Sequence, residues 1–236
     1  CIKPNTLTGP ITNFSLAERT KCLVQNLNYL HKLSIFKTIY VIDPYIKDSD
    51  SISKFDSMLK NNGLVNVKPN YLVFNPSKEI RKNILYKGKG YSELAMIISS
   101  LKKIKNNNKN EIIHKISGRY KILNLKKIIK VNEVNFRKNI ILNIPLSNLL
   151  RKCYSVFFSF KSNIDKLIFS ESMILINDNE GKYLENSIYK ILKQQKVKYS
   201  RNRILPRFEN TLLGGSKQGR YKLRKQILNS IIYKFF

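Results

Sequence analysis

Short runs of β-branched and aromatic residues alternate along this chain with longer segments whose apolar residues recur at helical spacing. That alternation restricts the fold more than any other feature. TIYVID ending at Asp43, YLVF at 71–74, EIIHKI at 111–116, NIILNI at 139–144 and YSVFFSF at 154–160 read as strands. Residues 15–33 read as a helix, with a Ser15/Glu18 capping box and Leu23, Val24, Leu27 and Leu30 on one face. Ile52–Leu59 gives a second, weaker helix, and a third carries Leu94, Ile97, Ile98, Leu101 and Ile104. A short helix follows at about 124–130, and another spans 180–195 with Tyr183, Leu184, Ile188, Ile191 and Leu192 in register. Residues 162–176 fit helix, strand or both, and VKYS (197–200) fits a last strand. Such an order predicts an α/β fold with a mostly parallel central sheet flanked by helices. Residues 1–216 then form one domain and 217–236 a basic amphipathic C-terminal tail. In sheets of this kind ligands bind beyond the carboxyl ends of the strands.

Composition narrows the classes. Hydrophobic residues make up 42% of the 236, enough for a core, so a disordered polyelectrolyte is excluded. No apolar run reaches the ~18 residues of a membrane span. The formal charge of +29 has two readings: a polyanionic partner, or drift toward Lys-, Asn- and Ile-rich codons, since Lys outnumbers Arg 34 to 10. The first reading admits a nucleic-acid-binding protein. Against that, the aromatics follow strand and helix periods as core residues do, and no binding motif is present, so nucleic acid is not favoured. Cys1, Cys22 and Cys153 have no CxxC spacing and only His31 and His114 beside them, which argues against a zinc site and for a reducing compartment. The chain opens at Cys1 without Met, so a first strand beginning just before it is an open expectation.

Three polar features fall at expected strand ends. Asp43 is placed either to accept hydrogen bonds from a nucleoside or to cap the turn through Pro44. YKGKGYSE (86–93) reads as a glycine loop entering a helix, whose bare amides and Lys87 or Lys89 suit an anion; an ordinary glycine turn is the alternative. It is not a Walker loop. In KISGRY (115–120), Gly118 permits a bend after a buried strand, the Arg119 fork suits a diphosphate or carboxylate, and Tyr120 suits stacking on a base or sugar ring; a surface salt bridge after a strand is the alternative. Asp48-Ser-Asp50 has DxD spacing but sits in a polar loop where a turn role is expected. General-base candidates are Glu171, Asp178, Glu180, Glu185 and Glu209, with Glu185 on the most regular helix. His114 reads as a core residue. Gly214, Gly215 and Ser216, followed by Lys217, Arg220 and Arg224, form a second Gly-rich basic loop, either a lid over an anionic substrate or a connection to the tail. The tail itself has the composition of an interfacial membrane helix or of a docked C-terminal helix.

The order of NFSLAERTKCLVQNLNYL, TIYVID, YKGKGYSELAMI, HKISGRYKILNL and PRFENTLLGGSKQGRY resembles glycosyltransferase-like proteins of bacterial surface-polysaccharide gene clusters, similar in outline to nucleotide-sugar-dependent enzymes of the GT-A fold. The resemblance spans roughly residues 10–221, and KISGRY is its most distinctive part. It implies a GT-A-like domain that moves a sugar from a nucleotide sugar to a polysaccharide or lipid-linked acceptor. Asp43 would contact the nucleoside, and Lys87, Gly88, Gly90 and Glu93 would lie beside the donor. Lys115, Ser117, Gly118 and Tyr120 would line the substrate site, with Gly214, Gly215 and Ser216 over it. Arg119 and Glu185 would be catalytic, as leaving-group stabiliser and base. Mg²⁺ or Mn²⁺ would be the cofactor, although the strand end lacks the DxD that binds metal in many GT-A enzymes, which leaves a metal-independent reaction or an inactive sugar-binding relative open. The implied location is cytoplasmic, peripheral on the inner face of an anionic membrane.

Overall fold

The computed structural model describes residues 16–64, 68–104, 111–118, 120–134, 140–143, 154–161, 166–202, 204 and 206–209. Along this part run α1 (Leu16–Leu33), β1 (Tyr40–Ile42), α2 (Ser49–Asn61), β2 (Asn70–Leu72), α3 (Lys78–Lys87), α4 (Lys89–Lys103), β3 (Ile112–Ile116) and α5 (Leu125–Val134). They are followed by β4 (Ile140–Asn143), β5 (Tyr154–Lys161), α6 (Lys166–Leu175), a 3₁₀ turn at Asp178–Glu180, α7 (Leu184–Gln194) and β6 (Ser200–Arg201). Among the described residues the chain is α/β, with seven α-helices and small sheets.

The expectation of a mostly parallel central sheet is corrected. β1 and β2 form a two-stranded parallel sheet, Val41 opposite Tyr71. The remaining strands form a mixed sheet in the order β3-β5-β4-β6. There β5 runs antiparallel to both β3 and β4, and only β4–β6 is parallel. A parallel crossover needs a dozen or more residues, usually a helix, whereas only residues 144–153 separate β4 from β5. That spacing makes β5 return beside its predecessor.

Both faces of the mixed sheet are covered because β5 is apolar on both sides. Phe158 and Phe160 join Leu94 and Ile97 of α4, Phe169 of α6, and Ile188 and Leu192 of α7. Phe157 turns the other way, toward Leu30 of α1 and Leu125, Ile128 and Ile129 of α5. The apolar stripe of α1 continues past Leu30 to Val24 and Leu27, which pack with Val41 of β1 and with Phe55 and Leu59 of α2. One helix thus belongs to two cores and ties the two-stranded sheet to the mixed one.

One local reading also changes. Residues 78–87 are a helix, not part of a loop: Ser77 caps it by accepting from Ile80 N at 3.3 Å, and Ile84 is its buried anchor. The segment Asp48–Asp50 opens α2, with the Asp48 carboxylate accepting from Ser51 N at 2.7 Å and the Ser51 hydroxyl accepting from Asp48 N at 2.9 Å. This capping box holds the Asp48 carboxyl below its usual range and gives it the turn role expected. The Ser15/Glu18 box involves Ser15, outside the described residues.

Candidate functional site

A cavity of about 780 Å³ lies against α1, the 35–43 segment with β1, α4 and β3. Ligand pockets commonly measure ~300–1,000 Å³. Much of its wall is aliphatic, from Leu27, Val41, Ile97, Leu101 and Ile113. The polar wall contains Arg19 and Asn26 of α1, Asp43 just beyond β1, and Lys115 and Gly118 at the end of β3. Asp43 from one stretch of sequence and Lys115 and Gly118 from another therefore line one space.

The polar wall is tied together by α1. Asn26 Nδ2 donates to the carbonyls of Ser117 (3.3 Å) and Gly118 (3.4 Å). Its Oδ1 is buried with no hydrogen-bond partner among the described residues. A Cβ on Gly118 would stand 2.7 Å from Leu23 Cδ1, so any larger residue there would make the end of the Leu23 side chain move. Ser117 N donates to Val156 O at 2.9 Å, and Tyr120 N to Ser117 O at 3.1 Å, closing the turn that ends β3. Tyr120 meets Phe208 edge-to-face at 6.0 Å, so that ring has an internal neighbour where a base or sugar was expected. Asp43 is buried, and its carboxylate accepts from Tyr45 N at 3.0 Å, the turn-capping alternative.

On the face of β3 that meets α4, Lys115 forms an ion pair with Glu93 and donates to the carbonyl of Ser155 on β5. The Ser155 hydroxyl donates to Glu185 Oε1 at 2.7 Å. Glu93, Lys115 and Glu185, named from three different motifs, thus form one hydrogen-bonded chain across α4, β3, β5 and α7. Ser155 is its middle link.

The glycine segment is a junction between two helices. Gly88 joins α3 to α4, and the amide of Gly90 in the first turn of α4 donates to Asp178 Oδ2 at 2.9 Å. The anion drawn to this helix start is the chain's own carboxylate. Burial pushes the Asp178 carboxyl up, against the opposing pull of the Gly90 and Lys89 amides. Lys87 Nζ lies 5.2 Å above the Tyr91 ring and donates to Ile174 O at 3.3 Å, and neither Lys87, Gly88 nor Gly90 lines the cavity.

Other carboxylates named as bases have structural partners. Glu209 pairs with Lys121 at 2.8 Å, Glu180 with Lys182 at 2.6 Å, and Glu171 accepts from Gln195. His114 Nδ1 lies 2.8 Å from Ser159 Oγ, the ring stacks at 6.3 Å on Phe157, and burial drives its pKa down to about 4. Among the described residues no three His, Cys, Asp or Glu side chains are grouped to hold a metal, and Asp50 pairs with Lys54 at 3.5 Å. Arg119, Gly214, Gly215, Ser216 and the 217–236 tail lie outside the described residues.

No known protein-family model matches this chain, and no curated protein is similar to it. The geometry alone adds Arg19, Asn26 and Ser155 to the site. Arg19 and Asn26 carried a signal in the sequence: they stand four residues before and three after Leu23, on the stripe that otherwise holds Leu23, Leu27 and Leu30. Polar residues on a buried helix face need partners or a ligand. Ser155 carried no such signal.

Proposed function

We propose that this chain is a glycosyltransferase with a GT-A-like plan, which holds a nucleotide-sugar donor in the cavity alongside β1 and β3. The observation that carries this reading is the meeting of Asp43, Lys115 and Gly118 around one cavity. Asp43 and Gly118 stand just after the carboxyl ends of β1 and β3, the position at which nucleotides bind in α/β folds. The resemblance of the KISGRY region to surface-polysaccharide transferases supplies the class of reaction.

In this reading Asp43, fixed by Tyr45 N–H, contacts the nucleoside, and Arg19 and Lys115 of the polar wall, together with the charge of Arg119, offset the charge of the diphosphate. Glu185, which does not itself line the cavity but is oriented by Ser155 beside Lys115 of its wall, accepts the proton of an acceptor hydroxyl. That oxygen bonds to the anomeric carbon as the bond from this carbon to the phosphate oxygen breaks, and the nucleoside diphosphate leaves. No step is assigned to a metal ion. The acceptor is a surface-polysaccharide or lipid-linked hydroxyl, and the enzyme works at the cytoplasmic face of an anionic membrane.

A thermal-shift panel of UDP-, GDP-, CMP- and dTDP-sugars, with and without Mn²⁺, tests the reading. One nucleotide class should raise the apparent melting temperature as its concentration passes Kd. Calorimetry should then show that class lost in Arg119→Ala at unchanged melting temperature. A chain that no donor stabilises is not this transferase; binding without turnover would make it a sugar-nucleotide-binding protein.

A further inference from the structure

Four of the seven large hydrophobic side chains exposed among the described residues come from one corner of the molecule: Leu85 (43%), Tyr86 (62%), Ile174 (71%) and Tyr183 (52%). They belong to the end of α3, the end of α6 and the residue before α7. Those three segments are bound together. Lys87 Nζ donates to Ile174 O at 3.3 Å, Asn179 Nδ2 donates to Tyr86 O at 2.5 Å, and Asn177 N donates to Lys182 O at 2.9 Å. Beneath them, Asp178 sits against Gly88 and Gly90 and fixes the corner.

Burying these side chains would be favourable, yet no described element covers them. From ring and aliphatic sizes they expose roughly 400 Å², the scale of a functional patch on a monomer. A stable self-association interface needs ~800 Å² from each partner. Two copies carrying +29 each would also repel one another. The same segments carry Arg81, Lys82, Lys87, Lys89 and Lys182 beside Glu79, Glu171, Asp178, Glu180 and Glu185, so attraction to an anionic surface comes from the +29 of the whole chain. Exposed tyrosines and an isoleucine on so basic a chain match the headgroup layer of an anionic bilayer, where rings sit at the interface.

We propose that this corner, Leu85–Tyr86 with Ile174 and Tyr183, is a membrane-docking surface for anionic lipid. It does not depend on the donor-site reading, nor on the 217–236 tail. Docking there would bring the start of α7, with Glu185 two residues after Tyr183, to the bilayer.

The chain contains no Trp, so one introduced indole reports on one position. Tyr86→Trp, Tyr183→Trp and, as a control, Val134→Trp at the end of α5 (78% exposed) are made in the full chain. Each is mixed with vesicles of phosphatidylcholine, or of an equal mixture with phosphatidylglycerol, carrying brominated acyl chains. The indoles at 86 and 183 should shift to the blue and be quenched by the anionic vesicles alone, while that at 134 stays unquenched. In Leu85→Ser/Tyr86→Ser/Ile174→Ser/Tyr183→Ser, vesicle affinity should fall about tenfold or more at an unchanged urea midpoint. Four results would overturn the proposal: no vesicle binding, binding that leaves both corner indoles unquenched, full affinity in the quadruple variant, or a lipid-free blue shift that grows with protein concentration. The last would assign the corner to a second copy.

Discussion

Gly88→Ala tests how the α3–α4 junction is built. Gly88 has φ 96 and ψ −161, a region that essentially only glycine occupies, at a cost of about 1–3 kcal/mol for another residue. The new Cβ would also lie 2.8 Å from both Asp178 Cβ and Oδ2, and 3.0 Å from Cγ. Asp178 Cβ is next to the backbone, so relief requires the 3₁₀ turn to move and pull its carboxylate off the Gly90 amide. Overpacking of this kind adds about 1–3 kcal/mol. The sum, about 4 kcal/mol, is a large part of the ~5–15 kcal/mol that holds a domain folded. Gly63→Ala is the internal control: its φ is also 96, but nothing lies within 4 Å of the Cβ, so only backbone strain of about 1–2 kcal/mol applies. Urea unfolding followed by circular dichroism should give Gly88→Ala the larger loss by about 2–3 kcal/mol, at equal m-value. Equal losses in the two variants would refute the packing of Asp178 against this junction, and with it the account of how the corner is held.

Lys115→Met leaves the Glu93 carboxylate without its ammonium partner, with side-chain exposures of 14% and 34% in the parent. A loss of about 1–2 kcal/mol is expected in urea unfolding, partly restored when Glu93→Gln is added, giving a coupling of about 1 kcal/mol. The pH dependence of stability should carry the mark of His114, whose pKa burial lowers from 6.5 to about 4. The unfolded chain binds this proton first, so stability falls as pH drops from 6.5 through 4, by about 3 kcal/mol in all. His114→Gln should remove that slope from urea midpoints measured across the window; an unchanged slope would show that the ring is solvated.

Strong local patterns were legible before the fold was known. α1, α4 and α7 follow from stripes of leucine and isoleucine at helical spacing, and β3 and β5 from short apolar runs. α3 was missed because KEIRKNILYK has few apolar residues on its inner face, with Ile84 alone buried, and its one clear signal is the Ser77 cap. Strand direction was misread because a run of residues states that it is extended, not which neighbour it joins; the short 144–153 connection was the available hint. The glycines of YKGKGYSE were rightly seen as a helix start that attracts an anion. The identity of that anion, Asp178, lies 88 residues away in sequence and no local pattern points to it.

By itself the sequence determined the alternation of helices and strands, the size of the core and the large positive charge, because periodicity and composition act over a few residues at a time. It also marked Asp43, Lys115 and Gly118 as polar or conformational exceptions at strand ends. Only the tertiary structure decided that these three share a cavity with Arg19 and Asn26, that Lys115 joins Glu93 through to Glu185, and that Lys87 stands apart from them. Those outcomes depend on which segments pack together, a choice made by the two faces of β5 and by the single helix α1 that serves two cores.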